Sequence, residues 1–120
     1  MVGIYDFTIL QGSDKDIPIT IQDSEGANYL DSGKTYSAYM QIRPSARANI
    51  LFDDLSSSNG RITLDTANSK LTLHFPESIT NSYEFSEAVY DLEIHNDTDN
   101  TVLRILEGTV TNNFNVTREN

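Results

Sequence analysis

The 120-residue chain contains no cysteine. That excludes disulfides, thiolate metal sites and a cysteine nucleophile. It does not identify a compartment, because a reducing cytosol and a secreted chain without disulfides fit equally well. Tryptophan is also absent, and there are only three prolines and six glycines. Basic residues are few: 8 against 18 acidic ones, for a formal net charge of −10. A body so charged repels nucleic acid and anionic membranes at long range, so neither is expected as a partner. The acidity itself is read as a solvated surface. Apolar runs extend only a few residues, too short for a membrane-spanning helix. Met1 to Asp6 lacks the basic and apolar regions of a signal peptide, and none is expected. Asn96-Asp97-Thr98 and Asn115-Val116-Thr117 match the glycosylation sequon and are read as chance matches in an Asn- and Thr-rich chain.

A chain of this length predicts one domain, residues 1–120, able to fold without staples. What the sequence does contain is period two. Tyr5, Phe7 and Ile9 alternate with polar residues, and so do Ile17, Ile19 and Ile21. Pro18 puts the second run at a sheet edge, since proline cannot donate to a ladder. Asp23 to Gly26 reads as a turn, and Ala27 to Lys34 as a connection anchored by Tyr29 and Leu30. Thr35 to Arg43 places Tyr36, Ala38, Met40 and Ile42 on one side and Ser37, Tyr39, Gln41 and Arg43 on the other, and Pro44 ends it. Ile50 to Phe52 is a short apolar run leading into Asp53 and Asp54. Ser56 to Gly60 is a turn, with Asn59-Gly60 suited to positive φ. Arg61 to Asp65 and Lys70 to Phe75 predict a hairpin. Pro76 to Glu87 lacks strand period and predicts one helical turn, with Ile79, Tyr83 and Phe85 plugging the core. Ala88 to His95, a polar turn over 96–100, Thr101 to Glu107 and a further run opened by Gly108 complete a meander.

This pattern predicts an all-β antiparallel sandwich of about 7–9 strands, with a small β-barrel as the alternative that periodicity does not separate from it. Two packed sheets would bury Tyr36, Ala38, Met40 and Ile42 against Ala88, Tyr90, Leu92 and Ile94 and against Leu71, Leu73 and Phe75.

The candidates for chemistry are few. His74 and His95 fall on outward strand faces, without a second histidine at ligand spacing, and are read as surface residues. Asp14/Asp16, Asp53/Asp54 and Asp97/Asp99 are acidic pairs. The last lacks the glycine and closing glutamate of a calcium loop and is read as turn chemistry. Asp91 and Glu93 are neighbours on a solvated strand face, whereas glycosidase carboxylates flank a cleft at a defined separation. The sequence has no nucleophile elbow and no glycine-rich phosphate loop. No catalytic residue, metal ligand or cofactor is therefore assigned, and an enzyme is not expected. Tyr29, Tyr39 and Tyr83 are the candidate interaction surface, because exposed aromatics stack on sugars or anchor interfaces.

The order of phrases is more specific. Ile4-Tyr5-Asp6-Phe7-Thr8-Ile9 runs into Gln11-Gly12. Tyr36 to Arg43, Asn59 to Ile62, Lys70 to Leu73, Val89 to Ile94, Val102 to Gly108 and Val116-Thr117-Arg118 follow. Over nearly its whole length the chain resembles small virion proteins of tailed bacteriophages and the N-terminal domain of phage baseplate upper proteins. The resemblance implies an immunoglobulin-like sandwich. It also implies a structural or adaptor role in the virion after synthesis in the host cytoplasm. Partners would be other virion proteins, with an oligomeric state in the particle, and no catalytic residue is carried over. Tail, baseplate or neck is the expected position, with capsid decoration as an alternative and a carbohydrate-binding module as a reading of a different class. Ending soon after Val-Thr-Arg, the chain is expected to be a stand-alone accessory protein.

Overall fold

The computed structural model describes residues 3–22 and 25–116. Among these residues nine strands run in chain order: β1 Gly3–Ile4, β2 Phe7–Leu10, β3 Lys15–Thr20, β4 Tyr36–Arg43, β5 Asp53–Ser56, β6 Ile62–Asp65, β7 Lys70–Phe75, β8 Glu87–Asn96 and β9 Thr101–Asn113. One short helix, α1 Glu77–Thr80, lies between β7 and β8. The strands make two separate sheets rather than a closed barrel. The larger has the order β1-β9-β8-β4-β5, with β2 also on β9; the smaller has the order β3-β7-β6. All pairs are antiparallel except β1 and β2, which run parallel to β9.

Alternation sets which faces are buried. On β4, Ala38, Met40 and Ile42 are buried; on β8, Ala88, Tyr90, Leu92 and Ile94 are. β4 and β8 are hydrogen-bonded neighbours, with Met40 opposite Leu92, so their apolar rows lie side by side rather than facing each other. The facing layer is Ile17, Ile62, Leu71, Leu73 and Phe75 from the smaller sheet. Phe7 of the larger sheet meets Phe75 of the smaller at 5.6 Å and Tyr90 at 5.2 Å between ring centroids. These contacts pin the layers without tryptophan or a disulfide.

Pro18 lies on β3, an edge strand, as expected. The β6–β7 hairpin and the helical turn are also where the sequence puts them. Tyr83 and Phe85 are buried and Ile79 is partly buried against the core.

Several details differ. Ile50 and Leu51 are 63% and 42% exposed, and the strand begins only at Asp53. Of Asn59 and Gly60, only Gly60 takes positive φ (80°). The Asn59 side chain instead closes the turn, its Oδ1 accepting from the Ser56 and Arg61 N–H groups. Gly108 opens no new strand: β9 runs through it, and β1 and β2 come to pair with it in parallel. A Cβ at 108 would lie 2.2 Å from the Tyr5 carbonyl oxygen, so only glycine admits that crossing. Asp23 and Ser24 of the expected turn, and Thr117 and Arg118 of the Val-Thr-Arg phrase, lie outside the described residues.

Candidate functional site

The smaller sheet covers one face of β4, β8 and β9, and no described element covers the other. That outer face carries Tyr39, Gln41 and Arg43 from β4 and Asp91, Glu93 and His95 from β8. On β9, Val102 and Arg104 stand opposite His95 and Glu93. The register with β8 shifts between Leu92 and Glu93, leaving Ile105 as the extra residue of a β-bulge. Both Ile105 and Leu106 then pack on the core.

Charge on this face is mixed and paired. Arg104 lies 3.4 Å from Asp91 and 3.6 Å from Glu107. The Arg43 guanidinium donates to Gln41 Oε1 at 2.7 Å and to the Ala48 carbonyl at 3.1 Å. At one end, Arg43, the loop residues Pro44 to Ala46, Asp91, Arg104 and Thr109 line a groove of about 650 Å³. At the other end the His95 ring lies 4.6 Å from that of Tyr39. Asp91 and Glu93 keep 45% and 40% of their side-chain surface in solvent.

The three candidate tyrosines do not share a surface. Tyr39 is 39% exposed on the outer face. Tyr29 is half-buried against the core and lines a separate polar cleft with Asn28, Asp31 and Tyr36. Tyr83 is only 4% exposed, so it is corrected from a surface aromatic to a core one. The cause is its partner: the Tyr83 hydroxyl donates to Asp53 Oδ2 beneath the end of the sandwich.

That contact belongs to a cluster the sequence does not announce. Arg61, just before β6, forks onto Asp53 of β5 with Nη1 to Oδ1 at 3.1 Å and Nη2 to Oδ2 at 2.8 Å. Its Nε donates to the His74 carbonyl at 2.7 Å, and its guanidinium carbon lies 5.7 Å from the Phe75 ring centroid. The pair joins the two sheets, with only 11% and 12% of the two side chains exposed. Burial alone pushes the Asp53 carboxyl up, but the Arg61 and Tyr83 hydrogen bonds outweigh it and hold it below its ordinary value. Burial, followed by the Asp53 hydrogen bond, pushes the Tyr83 hydroxyl up. Two acidic residues separated by nothing but sequence, Asp53 and Asp54, thus have unlike roles: Asp54 is exposed.

The other acidic pairs are structural too. Asp14 Oδ1 accepts from the Glu77 N–H at the start of α1, and Asp16 pairs with His74 at 2.9 Å. In the β8–β9 turn, Asn96 Oδ1 accepts from the Thr98 and Asp99 N–H groups, while Asp99 pairs with Lys34 at 2.6 Å and Asp97 accepts from the Ser37 hydroxyl. Among the described residues, no group of three or more His, Cys, Asp or Glu side chains is arranged to hold a metal ion. No helix among them is long and apolar enough to cross a membrane.

The sheet orders, with β1 and β2 parallel to the last strand and the others antiparallel, define a recognisable sandwich. Among solved structures the chain is similar to the NK cell receptor Nkp44, described as a triggering partner in natural cytotoxicity. The match has a TM-score of 0.60 at 13% identity and covers 94% of this chain and 99% of that one. The fold is immunoglobulin-like. At that identity the likeness concerns the fold alone. No family model and no curated protein matches the chain.

Proposed function

We propose that the chain is a non-enzymatic structural protein of a tailed-bacteriophage virion, acting by protein–protein contacts in the tail, baseplate or neck. The observation that carries this reading is the ordered series of strand phrases across nearly the whole chain. Two of them, Met40-Gln41-Ile42-Arg43 and Tyr90-Asp91-Leu92-Glu93-Ile94, form adjacent central strands of the larger sheet, Ile42 opposite Tyr90. Supporting it physically, the outer face of that sheet offers Tyr39, Arg43 and Arg104 among carboxylates, the mixture of aromatic and arginine anchors that protein interfaces favour.

The test is antibody labelling of intact particles. Label on the tail, baseplate or neck is expected. Label confined to the capsid surface would move the chain to a decoration role, and no label on disrupted or intact particles would overturn the proposal. The carbohydrate-binding alternative is weakened because Tyr29, Tyr39 and Tyr83 form no common exposed row.

A further inference from the structure

Asn59-Gly60, between β5 and β6, is the single Asn-Gly pair in the chain. An asparagine carboxamide is open to attack by the backbone nitrogen of the next residue, and glycine, having no Cβ, obstructs that attack least. The Gly60 nitrogen bonds to Asn59 Cγ and gives up its proton. The Cγ–Nδ2 bond breaks, and Nδ2 takes a proton and leaves as ammonia. Water then opens the succinimide ring. Opening at Cγ gives aspartate; opening at the main-chain carbonyl gives isoaspartate, with the backbone routed through Cγ. Either way an NH of the chain is exchanged for O, and one negative charge is added. The reacting groups are within reach of water. Asn59 and Gly60 are both exposed, and a Cβ at Gly60 would meet nothing within 4 Å. The Gly60 N–H has no partner among the described residues.

The fold holds the carboxamide back from this reaction. Asn59 Oδ1 accepts from the Ser56 N–H at 3.1 Å and the Arg61 N–H at 2.9 Å, while Nδ2 donates to the Asp54 carbonyl at 3.0 Å. The Asn59 N–H donates to Ser56 Oγ at 3.1 Å. The side chain is thus tied to β5 on one side and to the approach to β6 on the other. Two donors on Oδ1 favour the charge that attack places there. Attack, however, has first to draw Cγ onto the Gly60 nitrogen and so pull Oδ1 off both donors. Nδ2 needs a proton to depart, and the Asp54 carbonyl facing it has none to give.

We propose that Asn59 is a modification site gated by this turn: ammonia is lost only when the 54–61 segment opens, and the product does not let it close as before. Aspartate or isoaspartate at 59 has no Nδ2–H for the Asp54 carbonyl and sets a carboxylate against it. Isoaspartate also adds a methylene to the main chain between residues 59 and 60. Arg61, next in the chain, carries the fork on Asp53 that joins the two sheets. One event at an exposed turn therefore loosens a buried clamp, and no step reverses it. The reaction needs only water and stands apart from the assembly role.

Peptide mass spectrometry of the full chain, aged warm at neutral pH with and without urea, tests this. Electron-transfer fragmentation tells isoaspartate from aspartate. In urea, Asn59 converts ahead of every other asparagine. The folded chain converts there at least about tenfold more slowly, because three side-chain hydrogen bonds must open first. Ser56→Ala removes the acceptor of the Asn59 N–H and speeds conversion in the folded chain. Leu92→Ala weakens the core without touching the turn, and while folded it converts at the native rate. Converted chains, separated by their added charge, melt below the native chain. In them the His74 amide, bonded to the Arg61 carbonyl at 2.8 Å, exchanges faster. An unfolded chain that leaves Asn59 unconverted would overturn the site. A folded chain converting as fast as the unfolded one, or Leu92→Ala speeding conversion as much as Ser56→Ala, would overturn the gate. A converted chain that melts and exchanges like the native one would overturn the link to Arg61.

Discussion

Replacing Asp53 with alanine removes the acceptor shared by two Arg61 nitrogens and the Tyr83 hydroxyl. The Arg61 guanidinium is left beneath the surface with two unpaired N–H directions, and losing one partner of a buried pair costs about 3–5 kcal/mol. Arg61 keeps its Nε bond to the His74 carbonyl and its contact with the Phe75 ring, so the lower end, about 3 kcal/mol, is expected. For a domain of this size that corresponds to a drop in Tm of roughly 10–15 °C. Urea and thermal unfolding of the native chain and Asp53→Ala give the value. Asp53→Leu/Arg61→Met, which removes both charges and refills the volume, should recover most of the loss. The pH dependence has a fixed sign. The folded carboxyl lies below its unfolded value, so its contribution is fully present above about pH 4 and is lost as pH falls through the lower folded pKa. The gap between the native chain and Asp53→Asn must therefore narrow on acidification below about pH 4. A loss under about 1 kcal/mol, the size of a surface pair, would refute the reasoning. A gap that widened in acid would refute it as well.

Three further outcomes follow from the packing. Leu92→Ala empties a fully buried site between the sheets and should cost about 2–5 kcal/mol in urea unfolding; an unchanged midpoint would mean that β8 buries its other face. Gly108→Ala drives a Cβ into the Tyr5 backbone and should cost about 1–3 kcal/mol. Hydrogen exchange should then quicken at the Tyr5 amide, now bonded to the Glu107 carbonyl at 2.9 Å. Tyr90→Phe removes the hydroxyl that donates to the Tyr5 carbonyl and should cost about 0.5–1.5 kcal/mol, with the same amide as reporter.

Much of the fold was legible because period two states its own face. Tyr36 to Arg43 and Ala88 to His95 alternate throughout, and their inward residues are the buried ones except Tyr36, which at the start of β4 is only partly buried against the core. Pro18 likewise declared an edge. Partnership between rows was less legible: alternation shows that Met40 and Leu92 are inward, but not that they sit on one sheet. The bulge at Ile105 was invisible, since Thr101 to Glu107 reads as continuous strand, and the two residues that rotate together there are both apolar. Gly108 reads as punctuation because nothing local reveals that another segment of backbone crosses it. At the candidate site, alternation identified the outward residues Tyr39, Asp91, Glu93 and His95, and by the same token Gln41 and Arg43. It is silent on Arg61, and for Tyr83 the core-plug reading of the 76–87 stretch holds while the surface reading does not. Their burial depends on Asp53, a residue in another strand and the opposite sheet from Arg61, and such a pairing leaves no periodic trace. An arginine next to an Asn-Gly turn was the only available sign.

The proposed virion role is tested most directly by quantitative mass spectrometry of purified particles of any tailed phage whose genome is found to encode this chain. The account predicts the chain at a fixed copy number relative to the tail proteins, retained through density-gradient purification. Infectious particles from which it is wholly absent would contradict the claim.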